Sequence, residues 1–263
     1  MPKDLRLFAT KVRPLHPSGL RELVLCPWRS ASLFLEDAGD SDDNVAANTG
    51  SAMHKAAAAM HRGKEVSECL RTMGEHIGEY PQADLADASA LFLNYAADPR
   101  NRDAKLVLVE EAIAFSIKAA DFDPTQEPIE VIGTVDQVRE KDGRLYVWDI
   151  KTTKKDPLNA LHKAAFQAAA YCIGASVKLG KQVEPGGLIL PRRYTSPLNE
   201  ARVFYHFPWT FADIEQILSA VRNQVAMIRS GNVHHMPNDD SFWCHHRTPD
   251  VCLPRLLQIG TAK

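Results

Sequence analysis

EVIGTVDQVREKDGRLYVWDIKT, residues 130–152, decides the fold. Two strand-like runs, Glu130 to Arg139 and Leu145 to Ile150, flank Lys141-Asp142-Gly143-Arg144. The Asp-Gly pair inside that turn is the dipeptide a two-residue hairpin prefers, because both central positions need a positive φ. Alternate residues of an extended strand share a face, so Asp149 and Lys151 point one way while Ile150 turns into the core. Folding the two strands together brings Asp136 beside Asp149. Both Asp149 and Lys151 are expected to face the surface. An acid and a lysine two apart on a strand also make an ordinary exposed ion pair. The second acid is what raises the chemistry above that reading.

Working outward, the period of the apolar residues changes twice. Leu106 to Ile117 alternates, with Val107, Val109, Ile113, Phe115 and Ile117 on one face, and predicts a strand before the hairpin. Upstream of it the spacing is helical. Pro17 to Cys26 forms one helix, closed by Cys26-Pro27, and Thr49 caps a second that runs through His54 to His61. Helices follow over Val66 to Glu79 and Ala83 to Ala97, and the acidic stretch Glu36 to Asp43 reads as a loop. Downstream, Pro157 to Leu179 is a long alanine-rich helix, Gly186 to Pro191 and Ala201 to Phe207 are strands, and Phe211 to Arg229 is the last helix. The expected architecture is α/β, a mixed central sheet flanked by helices with a helical N-terminal region. The helical part covers about 18–100, the core about 105–207, and the C-terminal helix with a Cys/His tail about 210–263. No repeat or composition break divides the chain, so one domain over 1–263 is expected.

Composition bounds the partners. The 263 residues are 45% hydrophobic with a formal charge of -2, so no general basic coat for nucleic acid is present. Local clusters such as Lys151 to Lys155 and Arg192-Arg193 can still follow a phosphate backbone. No secretory signal and no segment long and apolar enough for a membrane span are visible, which predicts a cytoplasmic protein of bacterial or phage origin without a membrane partner. Five cysteines in a chain of this size are not the framework of a secreted disulfide-rich domain.

Carboxylates at the end of adjacent strands supply hard oxygen ligands, which suit magnesium or manganese, and the backbone carbonyl of Ile150 offers another. A cation held there, with the Lys151 ammonium beside it, is the equipment for hydrolysing a phosphodiester. Burial and a neighbouring cation would lower the Lys151 pKa and open a general-base role.

The ordered series Gly133-Thr134-Val135-Asp136, Val147-Trp148-Asp149-Ile150-Lys151-Thr152 and Gln167-Ala168-Ala169-Ala170-Tyr171 resembles the PD-(D/E)XK nuclease superfamily. Within it the likeness is to the RecB-like exonuclease branch, which includes the small nucleases of CRISPR adaptation. Gly50-Ser51-Ala52-Met53-His54 resembles that branch's glycine-to-histidine helix motif, and Leu23 to Trp28 its N-terminal cysteine segment. The resemblance implies that His54 is a metal ligand, Asp136 and Asp149 the paired acids, and Lys151 the catalytic lysine. It also implies that Gln167 and Tyr171, four apart on one helix face, belong to the site. Many relatives carry a further acid on the preceding strand. Alternation puts Glu111 on the face of Val109 and Ile113 and Glu110 on the other, and the sequence leaves the choice between them open.

Several relatives hold an iron-sulfur cluster with one N-terminal and three C-terminal cysteines. Here Cys26, Cys244 and Cys252 correspond, the fourth cysteine is missing, and His246 stands between the last two; a 4Fe-4S cluster or zinc is the implied cofactor. Cys69 and Cys172 fall in helices and read as core residues. The expected activity is divalent-metal-dependent DNA exonuclease action in end processing for recombination, repair or phage replication, with a helicase or recombinase partner left open. A sequence- or structure-specific endonuclease and an inactive DNA-binding module are the alternatives.

Overall fold

The computed structural model describes residues 14–25, 45–79, 83–117, 128–152, 158–191 and 204–229. At its centre is a five-stranded sheet in sequence order: β1 (Leu106–Ile117), β2 (Ile129–Lys141), β3 (Arg144–Ile150), β4 (Val183–Ile189) and β5 (Phe204–His206). β1, β2 and β3 are joined antiparallel, β3 and β4 pair parallel, and β4 and β5 pair antiparallel. A parallel neighbour requires a crossover between β3 and β4, and the helix over Leu158–Leu179 makes it. The Asp-Gly turn forms as its residues demand, with φ of 52° at Asp142 and 76° at Gly143.

Before the sheet come α1 (Leu20–Leu25), α2 (Val45–His61), α3 (Val66–Glu79), α4 (Leu85–Ala97) and the single turn α5 (Pro99–Arg102); the crossover is α6 (Leu158–Leu179), and α7 (Phe211–Arg229) follows β5. The predicted N-terminal helix is a short 3-10 turn, Pro17–Gly19, leading into α1. Just before it Leu15 bridges to Val131 in parallel, its N–H donating to the Glu130 carbonyl at 2.7 Å and its carbonyl accepting from Ile132 at 2.9 Å. That bridge satisfies the part of β2 that β3, paired only from Gln137 to Lys141, leaves open.

Thr49 is not the cap of α2. The helix already includes Val45, and the Thr49 hydroxyl donates to the Val45 carbonyl at 2.6 Å while accepting the Asp84 N–H at 2.9 Å. A threonine inside a helix can satisfy its hydroxyl on the preceding turn, and here the spare lone pair ties α2 to the start of α4. Asp84 in turn caps α4 by accepting the Asp87 N–H at 2.9 Å.

The two faces of the sheet bury different layers. Leu145 and Val147 of β3 join a core with Ile113, Val131 and Val135 beneath α6 and α7. Trp148 and Ile150 turn the other way into a core built from α2, α3 and α4 through Met53, Met73, Phe92 and Tyr95. Buried on both faces, β3 is the spine that fixes where its last residues emerge. Cys69 and Cys172 are buried free thiols, one in each core, as their helical positions imply.

Candidate metal and phosphodiester site

β1 shifts its register to β2 between Leu106 and Leu108 and breaks alternation again at Glu110, and that second departure builds the site. Leu108 and Ile113 both lie in the core under α6, five residues apart, while Val107 is exposed. Between them Glu110 has φ of 49°, and the ladder to β2 carries no Glu110–Asp136 pair although Val109–Gln137 and Glu111–Val135 are paired. A non-glycine residue at positive φ is uncommon and re-aims the side chains on either side of it. Glu110 is thereby brought to His54 and Asp136. Glu111 instead lies at the surface, paired with Lys178 at 2.9 Å. Of the two acids left open by the sequence, Glu110 joins the site.

His54 reaches this point from α2, one turn beyond Gly50. A Cβ on Gly50 would stand 3.0 Å from the Thr152 hydroxyl, so the glycine permits α2 to approach the end of β3 closely. The imidazole then lies with Nδ1 3.2 Å from Glu110 Oε1 and 3.5 Å from Asp136 Oδ1, and with Nε2 3.1 Å from the Ile150 carbonyl oxygen. Ligand atoms of His54, Glu110 and Asp136 all fall within 4.8 Å of one another. Asp136 is itself oriented by the Ile150 N–H, which donates to its Oδ2 at 2.7 Å.

Asp149 and Lys151 stand beside this group on the opposite side of β3 from Ile150. The Lys151 ammonium donates to Asp149 Oδ1 at 3.1 Å and lies 2.9 Å from Oδ2 as an ion pair without hydrogen-bond alignment. Asp149 Oδ2 is therefore a buried oxygen with unused lone pairs. Lys151 also donates to Gln167 Oε1 at 2.9 Å, and Gln167 Nε2 donates to the Tyr171 hydroxyl at 2.6 Å. The structure thus brings Gln167 onto the lysine from α6, with Tyr171 behind it on Gln167. Asp149 does not face the surface: its side chain is only 3% exposed, against 31% for that of Lys151.

The electrostatics follow from burying three acids together. Burial pushes the Asp149 carboxyl up; Lys151 pulls it back and Asp136 repels it further, leaving it at about 7. Burial works the same way on Asp136, but the His54 and Lys151 charges outweigh it and hold that carboxyl below its ordinary value. Burial opposes the His54 imidazolium, yet Asp136 and then Glu110 raise it to about 10. Burial disfavours the Lys151 charge, but Asp149 and Asp136 overcome it and raise the ammonium above its ordinary value. Burial and the two aspartates keep the Tyr171 phenol protonated.

The donor set fits a hard divalent cation: carboxylates of Glu110 and Asp136, the orphaned oxygen of Asp149, the Ile150 carbonyl and one imidazole. His54 must shed its extra proton to serve as a ligand. Cys26, Cys244, His246 and Cys252 lie outside the described residues, as do Lys154, Lys155, Arg192 and Arg193. Among the described residues no helix is long and apolar enough to cross a membrane.

Comparison with known proteins agrees with the geometry. None of the curated proteins is significantly similar to the chain. Among solved structures, a crystal structure of a "Putative exonuclease" from Eubacterium rectale superposes with a TM-score of 0.54 at 8% identity, covering 89% of this chain and 87% of the other. At that identity the likeness concerns the fold. The sequence pattern of the PD-(D/E)XK nuclease superfamily matches residues 14–252. This chain therefore belongs to the PD-(D/E)XK nuclease superfamily.

Proposed function

We propose that the protein is a divalent-metal-dependent DNA exonuclease of the RecB-like type, its whole length forming one nuclease domain that processes DNA ends in the cytoplasm during recombination, repair or phage replication. The observation that carries this reading is the convergence of His54, Glu110 and Asp136 on one point with the Lys151 ammonium held beside them. Magnesium or manganese bound among these ligands would supply Lewis-acid charge and ease ionisation of the attacking water.

The chain's own groups do the remaining work. Lys151, kept protonated by Asp149 and Asp136, places a fixed positive charge where the scissile phosphate gathers negative charge. Gln167 holds the direction of that ammonium, and Tyr171 holds Gln167. Asp149 anchors the lysine with one oxygen and keeps lone pairs of the other free for a ligand role. His54, midway along α2, ties that helix to the end of β3 through the Ile150 carbonyl. Cys26, Cys244, His246 and Cys252 form a separate 4Fe-4S or zinc site in this proposal, which elemental analysis and visible absorption of the purified protein would decide.

Matched closed-circular, linear and single-stranded DNA, incubated with magnesium or manganese, tests the activity. Progressive loss of linear DNA with closed circles intact is the expected result. Cutting of closed circles would place the protein among endonucleases, and inertness toward all three with either ion would leave a binding module.

A further inference from the structure

On the sheet face opposite Asp149 and Lys151 lies a cavity of about 820 Å³ between the start of β3, β5 and α5. Strand alternation sends Trp148 into its wall, where the indole meets Phe204 edge-on at 5.5 Å and His206 at 4.9 Å between ring centroids. Gly186 and Gly187 of β4 leave room for that indole, since a Cβ on either would fall within 3 Å of its ring atoms. The result is a cavity wall of packed aromatic rings.

Arg139 supplies the second feature. It is 8% exposed, and its guanidinium makes four hydrogen bonds: two to Gln137 Oε1 at 2.9 and 2.7 Å, one to Asn101 Oδ1 at 2.8 Å and one to the Arg100 carbonyl at 3.0 Å. Every acceptor is neutral. The Tyr95 hydroxyl is a further hydrogen-bond partner of the guanidinium, and a buried cation without a carboxylate partner is costly. Asp98, the carboxylate whose charge acts on it, has both oxygens engaged by Arg100. Of the acids in the lining, Glu140 is paired with Lys105 at 2.8 Å, and Asp103 and Asp142 are exposed at the rim. Arg100, held bidentate on Asp98, lies with its guanidinium 4.2 Å from the Phe204 ring centroid.

We propose that this cavity is a second nucleotide-binding site, distinct from the catalytic centre, that takes a nucleobase against Trp148 and His206 and its phosphate on Arg139 and Arg100. A ligand with phosphate alone would leave the aromatic wall unused, and a neutral aromatic would leave Arg139 without a counter-ion. The volume lies within the range of small-ligand pockets. Both a free mononucleotide and the unpaired end of a DNA strand carry this chemistry.

Calorimetric titration of the full chain in EDTA with dAMP, deoxyadenosine and a thymidine tetranucleotide tests the proposal. Saturable binding of dAMP or the tetranucleotide is expected, and the tighter of the two identifies a free nucleotide or a strand end as the source. Deoxyadenosine should bind about 10-fold or more weakly for want of the charge-assisted bonds. Arg139→Gln should weaken dAMP or tetranucleotide binding by a similar factor of about 10, a larger loss than Lys151→Ala produces. Should Arg139→Gln fail to fold, Arg100→Gln and His206→Ala replace it, each with an expected loss of about 3-fold. Absence of saturable binding, equal affinity for deoxyadenosine, unchanged affinity in the cavity variants, or a loss in Lys151→Ala as large as in Arg139→Gln would each overturn it. Binding is read without hydrolysis, so the proposal fails or stands separately from the nuclease reading.

Discussion

Asp149 sits where a charged group is expensive, 2% exposed and next to a second carboxylate. Folds keep such a group when another function demands it. Asp149→Asn removes that repulsion while preserving shape, so the metal-free protein should melt no lower than wild type at pH 8, yet cleave DNA about a thousandfold more slowly. A fall in Tm would assign the carboxylate a structural role instead. The acid on β1 offers a paired test. Glu110→Gln should weaken Mn2+ binding by about tenfold or more, while Glu111→Gln, whose partner is Lys178 at the surface, should not move it. Equal effects in the two variants would remove Glu110 from the ligand set. Sequence alone could not choose between these neighbours. The choice turns on a positive φ at a glutamate, and no residue type or spacing announces that.

At the scale of elements, most of the framework is readable because local chemistry and global fold agree. The Asp-Gly turn, the helical periods of α3, α4 and α7, and the alternation of Ile113, Phe115 and Ile117 all appear where their patterns put them. What escaped was carried by tertiary contact: Thr49 serves α4 rather than its own helix end, and Leu108 replaces Val107 in the core where β1 shifts register between Leu106 and Leu108. Two consequences at this scale are measurable. Gly187→Ala would drive a Cβ to 2.1 Å from the Tyr205 carbonyl, so the β4–β5 pair should lose about 3 kcal/mol in a urea titration. A normal stability would mean that β5 can shift. His61 links α2 to Tyr95 of α4 by a 2.6 Å contact, and burial followed by the Arg139 charge lowers its pKa to about 4. Between pH 6.5 and 4 the unfolded chain takes up a proton that the folded His61 refuses, so stability from this residue is full above 6.5 and declines on acidification. The urea midpoint of wild type should accordingly fall more steeply over that window than that of His61→Gln; parallel profiles would show that His61 charges without cost.

For the molecule as a whole, the order of motifs from Gly50-to-His54 through Asp136, Asp149-Ile150-Lys151 and Gln167-to-Tyr171 was legible because each sits at a fixed place on a helix or strand end. The cavity around Arg139 was not, since it is assembled from five separated segments whose residues look unremarkable in sequence. With a net charge of -2, DNA must be held by local cations near the site, and four phosphate contacts would weaken binding about 100-fold between 50 and 200 mM salt. Affinity insensitive to salt would argue against a phosphate-reading surface. The central claim is that His54, Glu110, Asp136 and Lys151 form one hydrolytic centre. Its most direct test is single-turnover cleavage of an end-labelled linear duplex with magnesium, comparing wild type, wild type in EDTA, and a folded Lys151→Ala. Cleavage by the first alone is predicted; cleavage by Lys151→Ala at the wild-type rate, or undiminished cleavage in EDTA, would contradict it.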